Sequence, residues 1–393
     1  MILRYEEWGA WVKLETIPGV VAIDREGVAA LGLDGGERWD TPQPPSAPLE
    51  VHLAVTSRCA AGCEGCYLDA RPDGYEPPLA DLVRSLDAMK DAGVFTVAFG
   101  GGEPTTREDL AELTTEARRR GLTPVLTTSG LGLSEEKIER LRGFAQVNVS
   151  YDGEGADYER VRGFDGARPA EAAIALLARA GIPVGVNVVL TRDTFDRVAG
   201  TLARARSLGA REAQLLRYKP AGRAATLDYL ARRLSPEQAA SLGPTLRELS
   251  RVHAAQAGEF HIRIDCALVP FLSADAELAA DAAKLARLGV FGCEAGGALA
   301  AVKADGTVAP CSFATSTALR GRDLAEGHAA DPELTRWRSY VAAPAEPCAS
   351  CSLRPVCKGG CKVVSGFVLG LHGPDPECPR VRAHAAAQKQ AAS

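Results

Sequence analysis

Residues 51–67 read VHLAVTSRCAAGCEGCY and join a short apolar run to three closely spaced cysteines. The run is rich in valine, leucine and alanine, which is typical of a strand that is buried on both faces of a parallel sheet. Cys59, Cys63 and Cys66 follow it at CxxxCxxC spacing. Because three thiolates converge in one loop at the carboxyl end of a strand, this stretch predicts a metal centre on an α/β fold.

The region around this stretch repeats the same strand-then-helix pattern. From residue 51 to about residue 218, short β-rich runs alternate with helical patterns, which predicts βα units and a parallel sheet. Strands are expected at residues 52–55, 96–99, 124–128, 146–150, 184–190 and 213–216. Helices are expected at residues 79–92, 107–120, 135–142, 169–180 and 195–208. Thr105 and Glu108 have capping-box spacing before one of them. Six units predict a partial (β/α)6 TIM barrel with its active groups at the strand carboxyl ends.

The 393 residues are enough for such a barrel and a smaller appended domain. The expected parts are an N-terminal extension (1–47), the barrel (48–233), a linking helical region (234–290), a cysteine-rich domain (291–384) and a tail (385–393). Ser235 and Gln238 predict a capped helix after the barrel. Residues 41–46, TPQPPS, predict a stiff linker, and the tail is expected to be a frayed helix or disordered.

Charge and hydropathy exclude two classes of partner. The net charge is -5 and no Lys/Arg-rich tract is present, so we expect no nucleic acid partner. No apolar stretch approaches the roughly 18 residues of a membrane span. The first 20 residues do not have the pattern of a signal peptide. We therefore expect a soluble, cytoplasmic protein with no membrane partner.

The distribution of the eleven cysteines predicts metal ligands. Three lie at residues 59–66 and eight at residues 266–378, whereas a disulfide framework is typical of short secreted domains. A 4Fe-4S cluster normally takes four cysteines, so three close ligands would leave one iron open. Zinc and buried thiols are the alternatives, although structural zinc takes four ligands and the first loop has no fourth Cys or His.

The CxxxCxxC motif, followed by the aromatic Tyr67, resembles the radical S-adenosylmethionine (SAM) superfamily. The resemblance implies that Cys59, Cys63 and Cys66 hold a catalytic 4Fe-4S cluster whose open iron binds SAM. In that family the reduced cluster cleaves SAM to methionine and a 5'-deoxyadenosyl radical.

Further motifs occur in the order of that family. Residues 101–104, GGEP, resemble the motif that contacts the SAM amino group. By resemblance, Ser150 meets the ribose and Arg162 the SAM carboxylate, the alternative being a surface pair of Arg162 with Asp152. Asn187 is a further SAM contact or a satisfied core amide, and Ser129 stands where the family often has asparagine. The implied SAM contacts are Tyr67, Gly101, Gly102, Glu103, Pro104, Ser129, Ser150, Arg162, Asn187 and Leu216.

The second group of cysteines resembles the SPASM extension of radical SAM peptide maturases. The resemblance implies two auxiliary 4Fe-4S clusters, three clusters in all. The first would be held by Cys293, Cys311 and Cys361, and the second by Cys348, Cys351, Cys357 and Cys378. Cys266 would be the fourth ligand of the first cluster or a free thiol. In a third alternative, it leaves that cluster with an open iron for substrate. Zinc ribbons are the alternative, since CxxC pairs also suit zinc. The neighbouring Asp265 is a candidate proton acceptor or a cap.

The motifs at residues 101–105, 217–223 (RYKPAGR) and 373–378 (GPDPEC) most resemble maturases of ribosomally made peptides, of the mycofactocin and pyrroloquinoline quinone type. This implies a peptide substrate that undergoes decarboxylation, carbon-carbon crosslinking or thioether formation. It also implies an electron donor such as flavodoxin or ferredoxin.

Residues 1–47 would dock a leader peptide by strand addition or simply cap the barrel. They are too short for the usual recognition domain, so a separate leader-binding protein is a further candidate partner. The alternative functions are sulfatase maturation, tetrapyrrole tailoring and non-enzymatic electron transfer. In sulfatase maturases an aspartate stands where Ser312 follows Cys311.

Overall fold

The computed structural model describes residues 2–14, 19–33, 35, 39–40, 47–226, 228–256, 258–370 and 373–392. The stiff linker predicted at residues 41–46 lies outside these residues.

The described N-terminal residues form a small antiparallel sheet that the sequence did not predict. Its strands, in the order β1-β2-β3, are β1 (Ile2–Glu6), β2 (Gly9–Lys13) and β3 (Val20–Asp24), followed by helix α1 (Arg25–Ala30).

This small sheet is fastened to the loops at the amino ends of the barrel strands. Arg4 donates hydrogen bonds of 2.9 Å to the carbonyl oxygens of Pro48 and Gly93. Lys13 donates to the carbonyl oxygen of Gly121 at 2.6 Å. Among the described residues, β3 pairs with β2 alone, so one edge of β3 is open to a further strand.

In the described part of the chain, nine strands form the central sheet, in the order β10-β9-β8-β7-β6-β5-β4-β11-β12. They are β4 (Glu50–Thr56), β5 (Thr96–Gly101), β6 (Thr123–Thr128), β7 (Gln146–Ser150), β8 (Val184–Leu190), β9 (Glu212–Arg217), β10 (His261–Ile264), β11 (Leu299–Val302) and β12 (Val308–Ala309). Neighbours from β10 to β11 are parallel, and β12 is antiparallel to β11.

The prediction of six parallel strands is confirmed by β4 to β9. The sequence did not reveal β10, which extends the sheet beside β9, or β11, which extends it beside β4. Both are only four residues long, too short for a clear pattern.

Helices follow the strands of the barrel along the chain. They are α2 (Leu79–Asp91), α3 (Leu110–Arg119), α4 (Glu135–Glu139), α5 (Ala156–Arg162), α6 (Ala167–Arg179), α7 (Val198–Ser207), α8 (Asp228–Arg232) and α9 (Pro236–Ala254). Along β4, Val51, Leu53 and Val55 are fully buried, whereas residues between them, such as His52, face the barrel lumen because strand side chains alternate.

One predicted capping box is confirmed and the other is wrong. Ser235 and Gln238 cap α9 reciprocally. The helix expected from residue 107 begins only at Leu110, and its N-cap makes no side-chain hydrogen bond. The reason is that the Thr105 hydroxyl donates to the Glu103 carboxylate at 2.6 Å.

The C-terminal region consists of short helices and loops. They are α10 (Ala276–Ala280), α11 (Ala282–Arg287), α12 (Leu324–Gly327), α13 (Pro332–Ala342), α14 (Arg354–Cys357), α15 (Lys362–Leu369) and α16 (Pro379–Ala392). The region 234–290 that was expected to be helical also contains β10. The described part of the tail continues α16. Within the described residues, no helix is both long and apolar enough to cross a bilayer.

Candidate iron-sulfur and SAM sites

The first three cysteines lie in a loop whose backbone is pinned to the GGEP turn. The Gly102 amide donates to the Thr56 carbonyl at 2.7 Å, and the Glu103 amide donates to the Arg58 carbonyl at 2.8 Å. A Cβ on Gly102 would lie 2.1 Å from the Arg58 carbonyl oxygen. The turn after β5 therefore needs glycine to approach the chain that leads into Cys59.

The three thiols are close enough to act on one another. Burial raises the pKa of Cys59, and the charges of Glu103, Cys63 and Cys66 raise it further. Burial also raises the pKa of Cys63. Positively charged iron would offset this penalty, because bound metal favours the thiolate. The donors thus fit a 4Fe-4S cluster with three protein ligands.

Glu103 organises the ends of β5 and β6. Its carboxylate accepts hydrogen bonds from the hydroxyls of Thr105 (2.6 Å), Thr128 (2.7 Å) and Ser129 (2.5 Å), and from the Ser129 amide (2.8 Å). Ser129, which departs from the family pattern, thus uses its hydroxyl to hold the GGEP glutamate.

The pair of Asp152 and Arg162 is internal, so the alternative of a surface pair is wrong. Asp152 is 1% exposed and accepts from Arg162 Nε at 2.5 Å and from the Val189 amide at 2.6 Å. Burial by itself would lower the pKa of Arg162, but the charges of Asp152, Tyr158 and Cys63 and the hydrogen bond to Asp152 together raise it. The guanidinium also favours the Cys63 thiolate, so it stays charged beside the first cysteine loop.

Asn187 is a buried amide with an unsatisfied oxygen, so the alternative of a satisfied core amide is wrong. The residue is 8% exposed, and within the described part of the chain its Oδ1 has no hydrogen-bond partner. It lies opposite Ser150 in the sheet. Leaving such an atom unpaired costs about 1–3 kcal/mol, so the position suits a donor on a bound ligand such as SAM.

The segment RYKPAGR after β9 holds the first cysteine loop, a role that sequence reasoning missed. Arg223 donates from Nε to the Cys63 carbonyl at 2.9 Å and from its amide to the Cys66 carbonyl at 2.8 Å. A Cβ on Gly222 would lie 2.5 Å from the Cys66 carbonyl oxygen. The only signal in the sequence was the similarity of this segment to the maturases.

Cys266, Cys293, Cys311 and Cys361 form a second group of neighbouring thiols. Cys266 follows β10 and Cys311 follows β12. Burial raises the pKa of Cys266, and the charges of Asp265, Cys293 and Cys361 add to it. Burial also raises the pKa of Cys293, and the charge of Cys311 raises it further. Cys266 is therefore placed with the three cysteines that the SPASM resemblance assigned to the first auxiliary cluster.

Cys348, Cys351, Cys357 and Cys378 line one pocket. Burial raises the pKa of Cys348 to about 11. Among the described residues, no three Cys, His, Asp or Glu side chains converge closely enough to hold a single ion. The four thiols that the SPASM resemblance assigned to the second auxiliary cluster therefore share one pocket.

The two cysteine groups meet through an aromatic contact. The Tyr67 and Phe313 rings lie 4.6 Å apart between centroids, and these residues follow Cys66 and Cys311. Burial raises the pKa of Tyr67 to about 12. The loop of the first auxiliary site is therefore packed directly on the CxxxCxxC loop.

Ser312, the residue after Cys311, is tied to the first barrel strand. Its hydroxyl lies 2.6 Å from His52 Nδ1, and His52 Nε2 lies 2.8 Å from a Glu50 carboxylate oxygen. This chain of contacts places polar groups in the lumen beside the first auxiliary site.

Comparison with known proteins identifies the family. The sequence model of the radical SAM superfamily matches residues 53–205. A PqqA peptide cyclase of Xanthomonas campestris pv. campestris is 30% identical over 367 residues, which cover 88% of this chain and 92% of that protein. The chain belongs to the radical SAM superfamily.

Other relatives of this radical SAM enzyme carry the same description. A PqqA peptide cyclase of Granulibacter bethesdensis is 28% identical over 353 residues, covering 86% of this chain and 88% of that protein. A PqqA peptide cyclase of Gluconobacter oxydans is 38% identical over 172 residues, which cover 42% of this chain and 48% of the relative. The last match thus spans about half the length of that cyclase.

Solved structures share the fold of this radical SAM enzyme. Streptococcus suis SuiB, bound to S-adenosylmethionine, has a TM-score of 0.73 at 17% identity, covering 96% of this chain and 98% of SuiB. The protein anSMEcpe with bound AdoMet has a TM-score of 0.67 at 18% identity, covering 85% of this chain and 95% of that one. These matches confirm the predicted α/β fold.

Proposed function

We propose that this radical SAM enzyme carries three 4Fe-4S clusters and modifies a ribosomally made precursor peptide. The contact between Tyr67 and Phe313 carries the proposal, because it packs the segment after Cys311 on the segment after Cys66. The relatives described as PqqA peptide cyclases support the peptide class. SuiB has also been solved with its precursor peptide SuiA.

The cysteines divide into three ligand sets. The SAM-binding cluster takes the thiolates of Cys59, Cys63 and Cys66. The first auxiliary cluster takes Cys266, Cys293, Cys311 and Cys361, with Cys266 as the fourth ligand because it shares their site. The second takes Cys348, Cys351, Cys357 and Cys378. Residues 291–384 then form the auxiliary-cluster domain, to which Cys266 contributes from the preceding region.

SAM lies at the carboxyl ends of β4 to β9. Its proposed contacts are Tyr67, Gly101, Gly102, Glu103, Pro104, Ser129, Ser150, Arg162, Asn187 and Leu216. Arg162 binds the SAM carboxylate, for which a guanidinium fork is well suited, and Asp152 keeps that fork in place. Asn187 Oδ1 accepts a hydrogen bond from the ligand, so this buried acceptor is no longer unsatisfied. Glu103 and Ser129 act together, since the hydroxyl and amide of Ser129 donate hydrogen bonds to the Glu103 carboxylate.

With SAM bound and its cluster reduced, the SAM site would supply the radical that abstracts a hydrogen atom from the peptide. The auxiliary clusters would accept or donate single electrons. The chain's own residues hold these groups in place. Arg223 and Gly222 fix the cysteine loop, and the packing of Tyr67 on Phe313 excludes water between the two sites. The product is a decarboxylated, carbon-carbon crosslinked or thioether-linked peptide.

The leader peptide is proposed to add as a strand to the open edge of β3. Val21 in this strand is half exposed, and the hydrogen bonds of Arg4 and Lys13 fix the small sheet to the barrel. A separate leader-binding protein assists, because the small sheet with α1 is short for a recognition domain. The electron donor is a flavodoxin or ferredoxin. The location is the cytoplasm, where the free thiols suit a reducing compartment.

The cluster assignment is tested by iron content and SAM cleavage. Anaerobically reconstituted protein should bind about twelve irons, four for each cluster. The Cys59→Ala variant should keep about eight and make no 5'-deoxyadenosine, because it loses only the SAM-binding cluster. Stoichiometric zinc with little iron, or wild-type 5'-deoxyadenosine formation by the variant, would refute the assignment.

The peptide assignment needs a separate test. Candidate small peptides encoded beside the gene are incubated with enzyme, SAM and reductant, and their masses are measured. A mass change that depends on SAM is expected. Turnover of a tetrapyrrole or of a sulfatase peptide, with no change in any neighbouring peptide, would contradict the proposal.

A further inference from the structure

Lys219 is a buried cation between the two cysteine groups. Its side chain is 7% exposed, and its ammonium hydrogen-bonds the Asp265 carboxylate, which is equally buried. The ammonium also lies 4.2 Å from the centroid of the Phe313 ring. Burying such a pair is costly and adds little stability by itself, so its position calls for another explanation.

The two groups form an ion pair. Burial by itself would lower the pKa of Lys219, but the neighbouring negative charges, led by that of Asp265, together raise it. The second oxygen of the Asp265 carboxylate accepts hydrogen bonds from the backbone amides of Ala267 and Leu268, both at 3.1 Å. These hydrogen bonds fix the carboxylate at the turn that contains Cys266.

Lys219 and Asp265 lie beside two of the four cysteines proposed to hold the first auxiliary cluster. Asp265 directly precedes Cys266 in the chain. The Phe313 ring, which the Lys219 ammonium contacts, lies two residues after Cys311. The site thus contains one positive and one negative charge at low exposure, where electrostatic effects are strongest.

We propose that Lys219 and Asp265 set the reduction potential of the first auxiliary cluster, Lys219 raising it and Asp265 lowering it. This inference rests on the proposed function, which places a cluster at these cysteines. A reduced cluster carries one more negative charge than the oxidised one, so a buried cation stabilises the reduced state and a buried carboxylate destabilises it. Net charge around a cluster is one of the factors that set its potential.

The test compares two nearly isosteric variants of the full reconstituted enzyme. Lys219→Met removes the positive charge and keeps the length of the stem. Asp265→Asn removes the negative charge and keeps an oxygen for the turn amides. Lys13→Met is the control, since Lys13 binds Gly121 at the amino ends of the strands. The midpoint potentials of the clusters are measured by redox titration followed with electron paramagnetic resonance.

We expect one of three midpoint potentials to move, in opposite directions in the two variants. At a fixed solution potential, Lys219→Met should lower the ratio of reduced to oxidised cluster at least tenfold, which is about 59 mV for a one-electron couple. Asp265→Asn should raise that ratio. The other two potentials, and all three in Lys13→Met, should stay at the wild-type values.

A damaged fold would not imitate this result, because structural damage lowers iron content and does not give shifts of opposite sign. If the Lys219→Met variant does not bind the first auxiliary cluster, the Asp265→Asn variant decides. A higher midpoint potential in that variant supports the inference, and a lower or unchanged one overturns it. Unchanged potentials, or shifts of the same sign, would overturn the inference while leaving the proposed function intact. Wild-type protein with only about four irons would instead refute the proposed function.

Discussion

His328 should make the stability of this enzyme fall in mild acid. Its side chain is fully buried after α12, and its carbonyl oxygen accepts from Arg338 at 3.2 Å. Burial lowers the pKa of His328 from 6.5 to about 4, and the charges of Arg338 and Arg4 contribute. Arg4 lies in β1 and Arg338 in α13, so the ring is enclosed between the small sheet and the C-terminal region.

The sign and size follow from this pKa. The folded state binds the proton more weakly than the unfolded state, so acid favours unfolding. The contribution is complete above pH 6.5 and is lost as the pH falls towards 4. Each pKa unit corresponds to about 1.4 kcal/mol, so the whole effect is about 3 kcal/mol, of which about 2 kcal/mol is lost by pH 5.

The assay is urea unfolding of the reconstituted wild type and of His328→Leu at pH 8 and pH 5, without oxygen. Between these pH values the wild type should lose about 2 kcal/mol more of its free energy of unfolding than the variant. Any acid damage to the clusters cancels in this difference. His261→Leu is the control, since His261 is exposed and should behave as the wild type. An equal loss in wild type and His328→Leu would refute the reasoning.

Two further changes test the close contacts of the site. Gly102→Ala should abolish SAM cleavage, because its Cβ would lie 2.1 Å from the Arg58 carbonyl oxygen. Gly100→Ala meets no atom within 4 Å and should retain cleavage measured as 5'-deoxyadenosine. Arg217→Met should lower the free energy of unfolding by about 3–5 kcal/mol, because it leaves the buried Asp375 carboxylate without its ion-pair partner. The exposed Arg263→Met should change it little, and equal losses in the two arginine variants would contradict this account.

The parts of the fold that could be predicted have a local cause. The strands β4 to β9 are buried by the elements directly beside them. Their apolar runs can therefore be recognised in the sequence without knowledge of the rest of the fold. The same is true of the capping box of α9, which joins Ser235 to Gln238. The Thr105 prediction failed because the carboxylate of Glu103, two residues earlier, accepts the hydrogen bond from the Thr105 hydroxyl.

The missed features depend on partners far along the chain. β10 and β11 are too short to be recognised and exist because β9 and β4 offer free edges. The contact of Ser312 with His52 joins residues 260 positions apart. Nothing in the neighbourhood of either residue indicates the other.

By itself, the sequence predicted the radical SAM superfamily, because the cysteine spacing of the first loop is a local pattern. It predicted the barrel because strand and helix periodicity are also local. Only the tertiary structure decided where these parts meet. The fold brings Cys266 to Cys293 and Cys361, packs Phe313 on Tyr67 and buries Lys219 against Phe313. Those positions depend on long-range packing and on charges that lie close in space but far apart in the chain.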